Sequence, residues 1–572
     1  MLVIRSRFCY PTEAKVIQVI RMCRGRWAWT CASLSIAALV VVPLVDILLH
    51  IGQDSQGTWQ HLTETVLTNY VTNTLLLGGG VAIGTLAIGV PSAWVVTMCR
   101  FPGQTIFGWA LLLPLAIPTY LLAYATTDLL QFSGPIQTAL RETFDWTRDD
   151  YWFPNVRSLP GAIVILVLGL YPYVYLAARS AFLEQSLCVL EVSRTLGVGA
   201  WASFWRVAMP LARPSIAAGL SLALMETFAE FGAVDYCAVD TFATGIYRTW
   251  FALGSITAAA QLSACLLAFI LLLLLLESAS RRSARFHHAT HRYRRHSPLR
   301  LTKWTATLAV IGCALPILLG FVLPTGLFLF KSWHHGDERA TETFFELGRN
   351  SVILAGIAGL LGMCLALLAA YSRRLQPNRI VQISTRVASL GYAIPGGVIA
   401  IGLLGPLLSL ELGFNELCEY LFDWTPGFLF TGTILGVLMG YQTRFLAVAL
   451  NLIQAGMTRI RTSLDDAATT LGASPRRTLM RVHAPLLRGS MLCASLLVFV
   501  DALKELPVTL ILRPFDFETL AVRVYQLASD ERLDEASTGG LAMIAAGLIP
   551  VIVLSQLMAR ARPGKRSNEA MS

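Results

Sequence analysis

Charge is what this sequence of 572 residues has least of: Asp, Glu, Lys and Arg together make up 14% of it, against 55% for hydrophobic residues. Soluble domains carry about 25% charged residues, so a water-soluble globular protein is excluded as the default class. Short motifs of self-contained chemistry are missing too. No GxxxxGK[ST] phosphate loop occurs, so nothing in the chain would grip ATP on its own. No HExxH or GxSxG is present either, and no clustered nucleophile or metal-ligand set marks a membrane enzyme. The 11 cysteines, an odd number, form no CxxC pair and fall mainly in apolar stretches, where they read as small core residues.

What the sequence has in abundance is long apolar runs. A helix needs about 20 apolar residues to cross the hydrocarbon core of a bilayer, and stretches of that kind recur about twelve times. They lie near 28–50, 72–98, 105–128, 160–181, 213–233, 255–276, 304–331, 350–371, 383–410, 425–455, 488–510 and 537–559. Helix is the only open spanning structure that satisfies its own backbone, so the expected fold is an all-α polytopic membrane protein. Arg5, Arg7, Lys15, Arg21, Arg24 and Arg26 precede the first run, and no small-residue cleavage pattern follows it. The reading is an uncleaved first span.

Cations near span ends are retained on the cytoplasmic side. Residues 278–303 hold eight Lys and Arg with no acid, including Arg281, Arg292 and Lys303, and residues 372–386 hold Arg373, Arg374, Arg379 and Arg386 with none. Both segments, and both termini, are expected inside. Residues 51–71 and 411–424 have no Lys or Arg but carry Asp54, Glu64, Glu411, Glu416, Glu419 and Asp423, so they are expected outside. The net charge of +10 flanks hydrophobic spans, which points to anionic membrane lipid as the partner and away from nucleic acid.

An internal repeat organises the chain. In the first half, Glu191-Val192-Ser193 is followed by three residues, Gly197, nine residues, then Val207-Ala208-Met209-Pro210. In the second, Asp466-Ala467-Ala468 is followed by three residues, Gly472, nine residues, then Val482-His483-Ala484-Pro485. The offset is the same at each landmark: 466 minus 191, 472 minus 197 and 485 minus 210 all equal 275. In that register Glu226 matches Asp501, Glu230 matches Glu505, Thr244 matches Thr519 and Arg248 matches Arg523; with a drift of two, Asn73-Thr74 matches Asn350-Ser351 and Ile117-Pro118 matches Ile394-Pro395. The domains are therefore 1–277 and 304–572, two parallel-repeat halves joined by a basic linker at 278–303.

An acid, a helical stretch, a Gly and a second stretch ending at Pro predict two short helices with a sharp turn at the Gly, and a change of chain direction at the Pro. The pattern resembles the EAA loop of binding-protein-dependent ABC importer permeases: Glu-Ala-Ala, three residues, Gly, nine residues, Ile-x-Leu-Pro. Departures are Val192, Ser193, Asp466, Met209 and Ala484. The resemblance implies a type I ABC importer permease fold in a bacterial inner membrane, with a periplasmic substrate-binding protein and two ATPase subunits as partners. It implies that the chain itself binds no cofactor and that the ATPases hydrolyse the ATP. It assigns Glu191, Gly197, Pro210, Asp466, Ala467, Ala468, Gly472 and Pro485 to the loops that couple the ATPases to the spans. A secondary transporter would share twelve spans and a parallel repeat but has no use for two docking loops in register.

Further stretches are similar to the ferric-iron permease subfamily, among them Tyr171-Pro172-Tyr173-Val174-Tyr175, Phe231-Gly232-Ala233-Val234-Asp235 and Lys504-Glu505-Leu506-Pro507. The resemblance implies ferric iron as cargo; permeases for thiamine, phosphonate or polyamine share much of the architecture. Glu226 with Glu230, and Asp501 with Glu505, stand four apart, as residues on one helix face do, and acids inside spans usually face a cavity or a partner. They are the candidate translocation path, with Tyr171, Tyr173 and Tyr175 as possible phenolate donors to a hard cation. The competing reading leaves these acids at an aqueous rim, with Lys504 or Arg248 as neutralising partners. His287, His288, His291 and His296 in the linker keep company with arginines, which repel a metal ion. Pro118 and Pro395 are expected at kinks, and Gly396-Gly397 at a close helix contact.

Overall fold

The computed structural model describes residues 13–184, 200–282, 299–335 and 340–560. The first half runs through α1 (Glu13–His50), α2 (Leu67–Met98), a helix at Gln104–Ala110 and a 3-10 turn at Leu113–Ala116, then α3 (Thr119–Leu130), α4 (Leu159–Glu184), α5 (Met209–Ala229), α6 (Gly232–Tyr236), α7 (Phe242–Phe251) and α8 (Ile256–Arg282). The second half runs through α9 (Lys303–Ile317), α10 (Leu323–His335), α11 (Ala340–Leu375), α12 (Gly396–Phe422), α13 (Ile434–Met457), α14 (Ser463–Thr470), α15 (Ala484–Lys504), α16 (Pro507–Leu512), α17 (Leu520–Ser529) and α18 (Leu533–Arg560). Among the described residues the one strand pairing is parallel, Cys99–Arg100 with Leu299–Arg300, and it ties the end of the linker to the end of α2.

Among the described residues, eleven helices are long and apolar enough to cross a membrane, and a bent pair would make a twelfth. Several keep large side chains such as Leu271, Leu275, Leu308 and Leu315 exposed, as expected where lipid rather than water is the solvent. The bent pair stands at the span expected over 105–128, and its bend falls at Pro118, where a kink is expected. Gln104–Ala116 and Thr119–Phe144 meet at 92°. Pro118 causes the break: it pushes Ile117 into the extended region at ψ 125° and itself caps α3. Pro395 caps α12 in the same way, at φ −57° and ψ 142°. Both prolines thus begin helices.

The repeat is visible element by element. The starts of α4 and α13 differ by 275 positions (434 minus 159), as do those of α5 and α15 (484 minus 209). Past α16 the offset changes: α7 begins at Phe242 and α17 at Leu520, 278 apart. Three extra residues therefore lie in the second half between the starts of α16 and α17. Thr241, which caps α7, is the counterpart of Thr519, which caps α17, in place of the Thr244 and Arg248 pairings read from unbroken register. Tyr247 then corresponds to Tyr525.

The compact units do not follow the halves. One comprises Met1–Val42, Ala358–Tyr392 and Gln442–Val498; the other comprises Pro43–Ile357, Ala393–Tyr441 and Phe499–Ser572. Within the first, the opening span packs against second-half helices: Thr30 Oγ1 donates to Gln376 at 2.8 Å, Trp29 meets the Tyr371 ring edge-on at 5.2 Å, and Thr443 Oγ1 donates to the Leu39 carbonyl at 3.0 Å. Within the second unit the same span runs against Gly402 and Gly405, whose missing side chains admit Pro43 and Asp46. The span formed by α9 and α10 does the reverse: Gly320 lies against the Leu168 carbonyl and Pro114, and Lys331 pairs with Asp128 at 3.2 Å. Each half's first span crosses to the other half, which no local pattern in the sequence announces.

Candidate functional site

Of the two repeated loops, Glu191 and Gly197 lie outside the described residues, and the second loop is described in full. Asp466 stands in the first turn of α14 beside Asp465, where the helix dipole favours acids. Asp466 and Ala467 are exposed, whereas Ala468 is buried. The helix ends in a Schellman turn: Gly472 N donates to Thr469 O at 3.0 Å and Ala473 N to Ala468 O at 2.9 Å, with Gly472 at φ +74°. Only glycine adopts that φ without strain. Leu471, 87% exposed, stands at the tip. Ser474 then caps a turn beginning at Pro475.

The expected change of direction at the second Pro does not occur. Pro475–Lys504 reads as one span, and a π turn at Leu479–His483 precedes Pro485. A proline inside a helix lacks an N–H and crowds the carbonyl four residues back; the wider π turn relieves both problems, so the helix continues. The first half repeats the device, with a π turn at Phe204–Ala208 before Pro210.

Residues outside the motif hold this loop in place. Asp465 Oδ2 accepts from Arg374 Nε at 2.7 Å, and Asp465 Oδ1 lies 2.5 Å from Nε2 of the fully buried His483. Arg374 also donates to the carbonyls of Met457, Ile460 and Arg461 at 2.8, 3.0 and 3.1 Å. Tyr371 Oη donates to Pro475 O at 2.9 Å, and its ring lies 5.2 Å from that of His483. Sequence reading missed this group because its members are spread over more than a hundred positions; the acid beside the motif and a lone His in an apolar run were the available signals.

The candidate path acids occupy two helix breaks. Helices α5 and α15 stop at Ala229 and Lys504, one residue before Glu230 and Glu505. Glu226 and Glu230, and likewise Asp501 and Glu505, therefore do not stand on one continuous helix face. Glu230 and Glu505 instead cap the short helices that follow: Glu230 Oε1 accepts from Ala233 N at 2.9 Å and Glu505 Oε1 from Val508 N at 3.2 Å. Thr119 Oγ1 donates to the other Glu230 oxygen. The Tyr120 hydroxyl is within Coulombic range of both glutamates, and Gly232 admits the close approach of Tyr120 and Leu506. The two breaks thus meet. Glu226 and Asp501 are half-buried one turn earlier. Lys504 Nζ donates to Leu115 O at 3.1 Å and feels the Asp501 charge, whereas Arg248 pairs with Asp240 and, at 3.4 Å, with Asp235.

A small recess adjoins the breaks, lined by Ala229, Phe231, Tyr247, Gly397 and Pro507 among others. Gly397 has no atom within 4 Å of where a Cβ would stand, so it opens space here rather than making the close helix contact expected of it. Phe231 lies between Tyr247 (4.3 Å) and Tyr525 (5.6 Å), one from each half. Tyr525 Oη donates to Asp235 Oδ2 at 3.0 Å; burial and then that carboxylate push its phenol up, and burial with the same carboxylate takes Tyr247 to about 12. The three tyrosines of α4 are elsewhere. Tyr171 and Tyr175 are fully buried, Tyr175 donating to Gly108 O at 3.0 Å, and Tyr173 is half-buried with its carbonyl against Gly219. Among the described residues no group of three or more His, Cys, Asp or Glu could hold a metal ion, and the linker histidines lie outside them.

Two copies of one helical unit, with a helix break and a π turn in each and a protruding loop before the π turn of the second, define a duplicated polytopic transport permease. The chain belongs to the family of binding-protein-dependent transport system inner membrane components, whose pattern it matches twice, over residues 80–286 and 362–566. It is similar to the Fe(3+)-transport system permease protein FbpB 2 of Haemophilus influenzae, with 24% identity covering 86% of this chain and 90% of the relative. The ferric transport system permease protein FbpB of Actinobacillus pleuropneumoniae is 23% identical over 94% of this chain and 78% of its own length. The sulfate transport system permease protein CysT of Escherichia coli is 27% identical over 36% of this chain and 72% of its own length.

Proposed function

We propose that this ABC importer permease carries ferric iron across a bacterial inner membrane, both termini inside, driven by two separate ATPase subunits that each grip one repeated loop. The observation that carries the coupling half of this reading is the second loop: an exposed short helix and Leu471 tip, turned by Gly472 and braced from behind. It is built to be gripped without yielding. Glu191, Gly197 and Pro210 play the same part in the first half as Asp466, Gly472 and Pro485 in the second. A periplasmic binding protein delivers the cargo, and nucleotide hydrolysis belongs to the ATPases, so the permease needs no cofactor.

The cargo reading is supported by the two FbpB relatives, which align along most of the chain, and by carboxylates at the meeting point of two broken helices. Glu230 and Glu505, with Glu226 and Asp501 one turn behind, line the route. The packing of Tyr171 and Tyr175 favours a structural role for them. Uptake of 55Fe supplied as ferric citrate, in cells carrying the chain with its ATPase and binding protein, tests the proposal. Gly197→Val with Gly472→Val should abolish both ATPase co-purification and uptake. Co-purification that survives the double variant ends the docking reading; uptake of sulfate but not iron ends the ferric one.

A further inference from the structure

The second loop is anchored by charge, and the matching positions of the first half have no charge to do it with. Helices α2 and α11 end at Met98 and Leu375, 277 positions apart, which aligns Arg374 with Thr97 and Tyr371 with Trp94. The π turns align His483 with Ala208, since 483 minus 208 is 275, and the same offset aligns Asp465 with Leu190. Where the second half has an Asp–Arg–His group, the first has aromatic packing: Trp94 lies 5.3 Å from Phe182 and 4.9 Å from Phe204.

The charged group has a specific mechanical form. Arg374, at the end of α11, donates to three carbonyls at and just past the end of α13 and to the Asp465 carboxylate in the first turn of α14. One guanidinium therefore joins a helix end, a turn and a helix start, using its planar fork of donors as a lysine could not. On the other side, Asp465 holds His483, in the π turn at the root of α15. A carboxylate only accepts, so Nε2 of His483 carries the hydrogen of this contact. Asp465 thus connects the loop to the span that leads to Glu505.

We propose that Asp465 is a positioning residue that transmits movement of the second loop to α11 and α15 through this ionic anchor, a group with no charged counterpart at the aligned positions of the first half. Asp466, next to it, is exposed and left for the partner. The inference rests on the docking reading above, and three measurements on the full complex separate the two.

Asp465→Asn removes the charge but none of the exposed loop surface. ATPase co-purification should persist, tryptic cutting at Arg476 and Arg477 should accelerate at least tenfold as the loop loosens, and 55Fe taken up per ATP hydrolysed should fall at least tenfold. Asp465→Glu should restore most of the ratio, and Arg374→Lys only a small part. If Asp465→Asn resists trypsin and keeps wild-type uptake per ATP, the inference is overturned; it is overturned also if the ratio holds while folded protein and both activities fall in parallel, since that is a purely structural role. Loss of ATPase from the wild-type complex, or its retention by the variant with both Gly197→Val and Gly472→Val, would instead strike the docking reading.

Discussion

Thr74 and Ser351, on matching positions of α2 and α11, accept the same hydrogen bond in the two halves. Thr74 Oγ1 accepts from Phe242 N at 3.3 Å, and Ser351 Oγ accepts from Leu520 N at 2.8 Å. Phe242 and Leu520 are the first residues of α7 and α17, whose opening N–H groups have no partner inside the helix. Both hydroxyls are buried, so no water can substitute for them. A matched pair of side-chain caps, delivered from another helix, fixes where each short helix begins.

Removing either cap should therefore be costly. Thr74→Val and Ser351→Ala each leave a buried N–H unsatisfied, at about 1–3 kcal/mol. Thermal unfolding of the detergent-solubilised protein should show both variants less stable than the wild type. Because the two sites share no partner, the double variant should lose about the sum of the two. Unchanged melting of Ser351→Ala, the shorter of the two bonds, would show that the cap is dispensable.

Glu230 and Glu505 have a structural duty that can be separated from any role toward cargo. Each accepts a backbone N–H three residues ahead, and a glutamine oxygen can accept the same bond. Glu505→Gln should therefore fold like the wild type, whereas Glu505→Ala leaves the Val508 N–H unmet at about 1–3 kcal/mol. If the carboxylate charge serves the passage of a ferric ion, Glu505→Gln lowers 55Fe uptake by at least tenfold at normal expression. Uptake that follows stability through Gln and Ala alike assigns Glu505 to the break alone. Glu230→Gln should be the harsher change of the two in stability, since its second oxygen accepts from Thr119 Oγ1 and an amide NH2 in that place cannot.

The architecture was legible in the sequence because its signals are local and repeated. Twenty-residue apolar runs, the offset of 275 and the Gly472 turn each come from one stretch of chain, and they reappear in the structure as spans, matched helices and a Schellman motif. Breaks were harder. Glu226 and Glu230 satisfy helical spacing, but nothing in the residue list says that α5 stops at Ala229, because apolar continuity runs through Phe231-Gly232-Ala233-Val234. The slip at Thr241 and Thr519 has the same origin: three residues added between the starts of α16 and α17 shift the register after a long stretch at one constant offset. Long-range groups were not legible at all. Arg374, Asp465 and His483 come together only when α11, α14 and α15 pack, and the exchange of first spans depends on which half a helix meets in the membrane.

Two glycines near Pro395 turn this difference into a prediction. A Cβ at Gly391 would stand 1.9 Å from the Thr443 carbonyl oxygen, a backbone atom that cannot swing aside. Gly391→Ala must therefore displace α13, at a cost of about 3 kcal/mol or more, and should greatly reduce folded protein in the membrane. Gly397 has open space around it and lies in the first turn of α12, where alanine is the better helix former by about 1 kcal/mol. Gly397→Ala should fold at least as well as the wild type while projecting a methyl into the recess beside Phe231 and Pro507. If cargo passes through that recess, uptake falls although the protein is no less stable, and Gly397→Val lowers it further. Wild-type uptake by both Gly397 variants would place the route elsewhere.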